Sequence, residues 1–310
     1  MRLVVAFLKL VRLPNLIFIA LAQILFQFCI YHSLYKGFIP ENDFIQFILL
    51  VLASLLIAAA GYIINDYFDI NIDEVNKPRE LVIDKVISRR WAIAWHFMLS
   101  ATGLILTILA LPFLQKWYLI LINACSIALL WFYSTTFKRK LLIGNVVISL
   151  LTAWTILILF YSKVSFTDAF GTGNVTEHKF FRIAFLYAGF AFISSLIREA
   201  IKDMEDREGD EKYGCRTMPI VWGINATKIY VAVWMSSLIA VLIMVQVYVL
   251  QFRWWWPAGY NIVMVILPLL YSFIKLFRAN SVHNFHILSR WIKLVMLTGI
   301  LSMAFFYFYL

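Results

Sequence analysis

The stretch Asp43–Asp73 reads DFIQFILLVLASLLIAAAGYIINDYFDINID. Residues 44–64 carry no charge at all. A membrane-spanning helix needs about 20 mostly apolar residues, so 43–65 is expected to cross a bilayer. The run ends in three carboxylates, Asp66, Asp69 and Asp73, spaced i, i+3, i+7. On a helix these positions share one face, and Asn65, four residues before Asp69, borders it. The stretch therefore describes a membrane helix whose end displays acid on one side.

Working outward, similar apolar runs lie near 13–35, 91–113, 117–136, 142–162, 180–200, 219–250, 257–277 and 290–310. With 43–65 they make nine expected spans and an all-α integral membrane protein. The composition agrees. The chain is 63% hydrophobic and 14% charged, with mean hydropathy +0.84, against roughly 45–50% and 25% for soluble domains. No polar stretch is long enough for a separate soluble unit, so 1–310 reads as a single transmembrane domain. Arg2, Lys9 and Arg12 ahead of the first run imitate a signal peptide, but the many later spans favour an uncleaved first helix.

The net charge of +10 does not indicate a nucleic-acid partner, because the basic residues are scattered over short segments between spans. With nine spans, 21 of the 27 Lys and Arg fall on one side and 6 on the other. The positive-inside rule makes the rich side cytoplasmic, placing the N-terminus inside and the C-terminus outside. Cys29, Cys125 and Cys215 are far apart, which suggests neither a disulfide nor a zinc site. Asn174-Val175-Thr176 matches a glycosylation sequon, a pattern common by chance.

A second acidic cluster follows span six. Glu199, Asp203, Asp206 and Asp210 step by four, three and four and again align on one helical face. Pro219 marks an expected start for the next span. Windows 65–80 and 198–212 hold 12 of the 17 acidic residues in the chain. One such cluster could be a solvated helix end, where like charges cost only a few tenths of a kcal/mol. Two clusters on the same expected side, each at a span's end, point further. Carboxylates 5–6 Å apart in a partly dry cleft repel by roughly 3 kcal/mol per pair at an effective dielectric near 20, so they call for cations. Oxygen-only ligands favour Mg²⁺ or Ca²⁺, and Mg²⁺ typically combines one or two carboxylates with phosphate oxygens and water. Two acidic helix ends could hold Mg²⁺ against a diphosphate and so ease breakage of an allylic C–O bond. An apolar interior would shield the resulting cation and hold a polyprenyl tail.

Asn65-Asp66-x-x-Asp69-x-x-x-Asp73 resembles the NDxxDxxxD signature of the UbiA superfamily of membrane prenyltransferases, and Asp206-x-x-x-Asp210 resembles its second motif, DxxxD. The stretch from Asp206-Arg207-Glu208-Gly209-Asp210 to Gly214-x-x-Thr217-x-Pro219 is similar to the family's D-x-x-G-D…G-x-x-T-L-P, with Met218 in place of Leu. The resemblance covers nearly the whole chain. It implies a helical bundle around a central cavity open to the cytoplasmic side and to lipid. It also implies that Asn65, Asp66, Asp69, Asp73, Asp206 and Asp210 bind a Mg²⁺–diphosphate. Asp203 fits that set by its helical position, whereas Glu199 reads as a buried or paired structural acid.

Basic partners for the diphosphate are expected from the same side. Lys77 and Arg79 follow the first motif, Lys202 and Arg216 flank the second, and Tyr133-Ser134 with Lys138-Arg139-Lys140 resembles the family's YS…K segment. Each basic residue is also explained by topology alone. Arg12-Leu13-Pro14-Asn15 resembles the family's first-span start, with Asn15 either facing the cavity or packing between helices. One departure stands out. Many members follow the first motif with R-P-L…G-x-[IV]-S, whereas Lys77-Pro78-Arg79 here leads to Asp84-Lys85-Val86-Ile87-Ser88, so the glycine is replaced. His283 and His286 read as a solvated pair in a loop.

The substrates implied are a polyprenyl diphosphate and a membrane-associated acceptor. The motif stretches are most similar to the branch that transfers geranylgeranyl to geranylgeranylglyceryl phosphate. Quinone-precursor branches, with hydroxybenzoate or dihydroxynaphthoate acceptors, share the same diphosphate site. Two rivals lie outside the family. A divalent-cation transporter would place its carboxylates near the midplane along a through-path. A CDP-alcohol phosphotransferase would carry a D-G-x-x-A-R run, which is missing from this sequence.

Overall fold

The computed structural model describes residues 2–78, 81–164 and 174–310. Among the described residues the chain is helical, with one isolated bridge between Ile83 and Ile87 and no strand. A short amphipathic helix, α1 (Arg2–Leu10), precedes the first span. The nine helices long and apolar enough to cross a membrane are α2 (Leu13–Leu34), α3 (Asp43–Asn76), α4 (Arg89–Ala110), α5 (Phe113–Thr135), α6 (Ile143–Lys163), α7 (Val175–Glu205), α10 (Ile224–Leu250), α11 (Trp255–Arg278) and α12 (Val282–Tyr309). Two short helices, α8 (Arg207–Lys212) and α9 (Met218–Val221), lie between α7 and α10.

The expected spans are present, with three informative differences at their ends. Helix α3 continues through its acidic cluster, so Asp66, Asp69 and Asp73 stand on one unbroken helix, whereas α7 ends at Glu205, leaving Asp206 at its C-cap and Asp210 on the separate α8, so the four acids expected on one helical face are divided between two helices. The seventh span begins at Ile224, because Gly223 (φ 81°) turns the chain there and Pro219 opens the separate α9. The ninth begins at Val282, where Ser281 caps the helix by accepting from the Asn284 N–H at 3.3 Å. His283 and His286 are therefore on a helix, not in a loop. Asn174 also caps. Its side chain accepts from the Glu177 N–H at 3.0 Å while Glu177 accepts from the Asn174 N–H at 3.1 Å, a reciprocal pair that opens α7.

The helices divide their surfaces as a bilayer requires. On α10, Val231, Met235, Leu238 and Leu242 are buried at helical spacing, whereas Ile229, Val233, Met244 and Val247 are exposed. Several of the polar groups inside are satisfied locally or across helices. Thr107 and Ser149 donate to carbonyls four residues back, at 2.9 and 2.7 Å. Asn123 donates to Thr107 at 2.9 Å and accepts from the Trp154 indole at 2.8 Å, joining α4, α5 and α6. Gln23 on α2 donates to Ser54 at 3.0 Å and to the Thr155 carbonyl at 2.8 Å, joining α3 and α6.

The bundle end remote from the acidic clusters is packed shut by Phe26, Ile30, Phe160 and Phe180. Beside them Asp43, at the start of α3, is ion-paired with Lys163, at the end of α6. Gln27 donates to Asp43 at 2.6 Å, and the Lys163 ammonium lies 5.1 Å from the Tyr31 ring centroid. Both charges are almost fully buried. Removing one partner of a buried pair costs about 3–5 kcal/mol, because the other is left unpaired. Lys163→Met should therefore lower the thermal midpoint of the purified protein by many degrees, and adding Asp43→Asn should restore much of the loss. Equal midpoints for wild type and Lys163→Met would show that the pair does not hold this end together.

Candidate active site

The two acidic helix ends meet. The Asn76 side chain, at the last turn of α3, donates to the Asp206 carbonyl at 2.9 Å and accepts from the Gly209 N–H at 2.8 Å. Gly209 is required at this contact: a Cβ there would lie 2.6 Å from the Asn76 amide. Lys77 adds a charge to the same junction, its Nζ lying 2.6 and 2.9 Å from the two Asp206 carboxylate oxygens. A third segment arrives from the α5–α6 connection, a single 3₁₀ turn over Phe137–Arg139. Gly144 lets α6 start close beneath this turn, since a Cβ there would lie 2.9 Å from the Phe137 carbonyl oxygen and 3.0 Å from the Lys138 Cα. The Lys138 ammonium is thereby set against Asp69, with which it is ion-paired. The Arg216 N–H donates to the Arg139 carbonyl at 2.8 Å and ties the turn to the segment after α8.

Each carboxylate has a distinct environment. Asp66 receives the Arg12 guanidinium at 2.6 Å. Asp69, almost fully buried, accepts from Asn65 at 2.8 Å as well as from Lys138. Asp203 accepts from Asn145 at 2.9 Å. Asp73 and Asp210 have no ion pair of their own among the described residues. Outside the spans the charges respond accordingly. Burial by itself would lower the Lys138 ammonium, but Asp69 outweighs it and holds that group above its ordinary value. Lys77 is raised in the same way, with Asp206 overcoming its burial. Burial pushes the Asp210 carboxyl up to about 6 against the pull of Lys138.

These groups line one cavity of about 770 Å³. It runs inward past Phe18, Ile57, Ala58, Leu130 and Leu151 to Ser54, Asn123, Trp154 and Thr155. Along α3 alone, Asp69 to Ser54 is fifteen residues, roughly 22 Å at about 1.5 Å per residue. The acids crowd one end, and Asp43 and Lys163 of the packed far end are not part of the lining. A chamber with a charged mouth, apolar walls and a small polar floor whose groups are largely hydrogen-bonded to one another suits a long apolar chain with an anionic head. Among the described residues it forms no through-path of the kind a transporter needs.

Of the residues singled out in the sequence, Asn15, Asn65, Asp66, Asp69, Asp73, Lys77, Tyr133, Lys138, Asp203, Asp206 and Asp210 all line this cavity. Arg79 lies outside the described residues. Asn15 accepts from Lys293 at 2.8 Å. Glu199 is paired with Arg198 at 3.1 Å and Lys202 at 3.6 Å. Arg12, Asn76, Asn145, Arg290 and Lys293 had no role from sequence. Asn76 carries the clearest missed signal: it lies three residues beyond Asp73, on the same helical face. The histidine reading needs correction. His286 Nδ1 sits 2.9 Å from Glu205, because α12 begins early enough to lay that residue beside the end of α7. Lys85 stands where the glycine is replaced, and the residue before it, Asp84, takes φ 67°, a left-handed conformation that Asp tolerates better than most residues. The turn closes through the Ile83–Ile87 bridge and an Asp84–Arg89 ion pair at 2.6 Å.

A divalent cation has a place here. Asp73 and Asp210 have no direct ion pair among the described residues, and the buried Asn65 carbonyl oxygen has no hydrogen-bond partner. Among the described residues no three acid, His or Cys side chains converge on a single point. The donor set thus fits a metal held by one or two carboxylates and completed by phosphate oxygens and water, not an all-protein cage. Residues 28–294 match the UbiA prenyltransferase family. The chain belongs to that family. It is a multi-pass membrane prenyltransferase. A relative from Sulfurisphaera tokodaii, named digeranylgeranylglyceryl phosphate synthase, is 29% identical over 266 residues, covering 84% of this chain and 82% of its own. A solved structure concerning digeranylgeranylglyceryl phosphate synthase in membranes superposes with a TM-score of 0.63, at 24% identity over 98% of this chain and 99% of that one. A UbiA homologue from Archaeoglobus fulgidus, bound to DMAPP and Mg²⁺, gives a TM-score of 0.58 at 18% identity, covering 96% and 98%.

The Asn76 junction is open to test. Asn76→Ala removes two hydrogen bonds between the acidic segments, each worth about 1 kcal/mol. Prenyl transfer by the purified membrane protein should drop about ten-fold or more, with a loss of a few degrees in thermal midpoint. Wild-type turnover in this variant would show that the segments keep their registration without the amide.

Proposed function

We propose that the protein transfers a polyprenyl group, geranylgeranyl by preference, from its diphosphate to geranylgeranylglyceryl phosphate in a Mg²⁺-dependent reaction. The observation that carries this reading is the meeting of two acid-bearing helix ends, with interposed lysines, over a deep apolar chamber. The relatives named digeranylgeranylglyceryl phosphate synthase support the acceptor. The homologue bound to DMAPP and Mg²⁺ supports the metal and the diphosphate. The depth of the chamber favours a long prenyl chain over a single isoprene unit.

In this reading Asp66, Asp69 and Asp73 on α3, and Asp203, Asp206 and Asp210 beyond Glu199 on α7 and α8, hold the metal-bound diphosphate, with Asn65 contributing its unpartnered oxygen. Mg²⁺, when bound, supplies Lewis acidity to the leaving diphosphate. Lys77 and Lys138, now spent on Asp206 and Asp69, turn to phosphate oxygens once the metal neutralises those acids, and Arg79 follows on the same segment. Tyr133 faces the reacting end from α5. Asn15 positions Lys293. The apolar walls hold the tail and keep water from the developing allylic cation. The bond from the prenyl C1 to the diphosphate oxygen breaks, the acceptor hydroxyl forms the new ether bond, and its proton is released. We further infer a single membrane domain whose acid-bearing end and N-terminus face the cytoplasm and whose C-terminus lies outside. The support is the 21-to-6 division of basic residues. Prenylation of a hydroxybenzoate or dihydroxynaphthoate would use the same diphosphate site.

Two measurements test the proposal. Purified protein with geranylgeranyl diphosphate should form an ether product from geranylgeranylglyceryl phosphate, read by mass spectrometry. That product should vanish on chelation and return with Mg²⁺. Asp69→Ala and Asp206→Ala should each reduce transfer by at least about a hundred-fold while the protein remains in the membrane fraction. Near-normal turnover in either variant, at saturating substrate and Mg²⁺, would remove these carboxylates from the mechanism.

A further inference from the structure

The cavity is lined by eight Lys or Arg and eight Asp or Glu side chains, unevenly distributed: α3 contributes acids and no base, α12 bases and no acid, and α7 both. The acids come from α3 and from the α7–α8 segment, and the chain has no Asp or Glu after Glu211. Helix α12 therefore presents a purely basic face to the cavity, with Arg290 and Lys293 one turn apart. Opposite them α7 offers Arg198 and Lys202, which share the single carboxylate of Glu199.

Arg290 and Lys293 have no ion pair among the described residues, and Arg198 and Lys202 have one carboxylate between them. Lys293 donates to the Asn15 amide oxygen at 2.8 Å and lies 5.2 Å from the Phe18 ring centroid. Neither contact carries negative charge, and two of its three donors remain. The Arg198 Nε is buried with no hydrogen-bond partner. Arg198, Lys202 and Arg12 lie close enough to Lys293 for their charges to act on it. Uncompensated cations grouped in a partly dry wall are costly unless an anion joins them. The metal-bound diphosphate belongs to the acidic wall, where Lys77 and Lys138 already stand.

We propose that Arg198, Lys202, Arg290 and Lys293 form a second anion site, which binds the phosphate monoester of the acceptor and so orients its hydroxyl towards the diphosphate. A phosphate monoester carries about −1.5 to −2 charges near neutral pH. The acidic wall repels such a head group and the basic wall attracts it, so charge separation sorts two anionic substrates within one chamber. This rests on the glycerol-phosphate reading above and assigns it residues.

The test uses the full-length protein in lipid nanodiscs with geranylgeranyl diphosphate, Mg²⁺ and two acceptors, geranylgeranylglyceryl phosphate and its unphosphorylated alcohol. Lys293→Gln and Arg290→Gln should each raise the acceptor KM by about ten-fold or more, the loss of a charge-assisted hydrogen bond. The donor KM should stay within about two-fold. The wild-type preference for the phosphorylated acceptor should shrink by the same factor, which misfolding alone does not produce. Lys293→Arg, which keeps the charge, should recover most of the preference. An equal or larger rise in the donor KM, or a preference that survives both substitutions, overturns the proposal and leaves the acceptor reading intact. A wild-type protein that prenylates another acceptor but neither of these overturns the acceptor reading, and this site with it.

Discussion

Like charges brought together inside a membrane protein must be balanced, and the arrangement here follows from how that is done. Asp66, Asp69, Asp73, Asp203, Asp206 and Asp210 share the mouth of a single cavity. At an effective dielectric near 20, each pair of ionised carboxylates at 5–6 Å costs roughly 3 kcal/mol. Three cations offset part of this: Arg12 on Asp66, Lys77 on Asp206 and Lys138 on Asp69. Each comes from a different segment. The balancing ion pairs therefore double as the connections that bring the N-terminal helix, the end of α3 and the α5–α6 turn to one place.

Such balance is incomplete by construction. Among the described residues Asp73 and Asp210 have no direct ion pair, and Asp210 is held partly towards its neutral form by burial. A site in which every carboxylate was satisfied by lysine or arginine would have no affinity left for metal and diphosphate. One with no internal cations would separate its helix ends. The structure lies between these extremes, and in the proposed reading the lysines that steady the acids are the ones placed to follow the phosphate oxygens if the acids take up metal. The remote end of the bundle shows the contrast. There Asp43 has Lys163 and Gln27, aromatics such as Phe26, Phe160 and Phe180 pack the surroundings, and the pair fastens α3 to α6.

Much of this was legible in the sequence. Uninterrupted apolar length marks the spans, and the i, i+3, i+7 carboxylates mark the cavity-facing side of α3 before any coordinates are consulted. Other features were hidden for physical reasons. The region 282–289 looks like loop because His283, Asn284 and His286 lower its hydropathy, yet Ser281 caps a helix there and α12 carries those polar residues beyond the apolar stretch. Asn174 looks like a modification site, although the Asn-x-x-Glu spacing makes it a helix cap. The Asp43–Lys163 pair spans 120 residues of sequence, and no local pattern announces it. Asn76, with one side chain engaging both the Asp206 carbonyl and the Gly209 N–H, is legible only once the two helix ends are known to touch.

The basic residues illustrate the deepest ambiguity. Lys77, Lys138, Arg290 and Lys293 all fall on the side that the positive-inside rule would fill in any case, so their presence in the sequence separates topology from chemistry poorly. Their partners separate the two. A topological lysine needs only water and lipid phosphate, whereas Lys138 is set against a buried aspartate by a turn that Gly144 makes room for, and Lys293 is steered into the cavity by Asn15 from the opposite end of the chain. Positioning of that kind costs conformational freedom, and a bare topology signal has no use for it. Two kinds of cation therefore line one chamber: Arg12, Lys77 and Lys138, each spent on an aspartate, and Arg290 and Lys293, with no ion pair among the described residues. In the proposed reaction, which joins two amphiphiles with anionic heads, each head meets its own set.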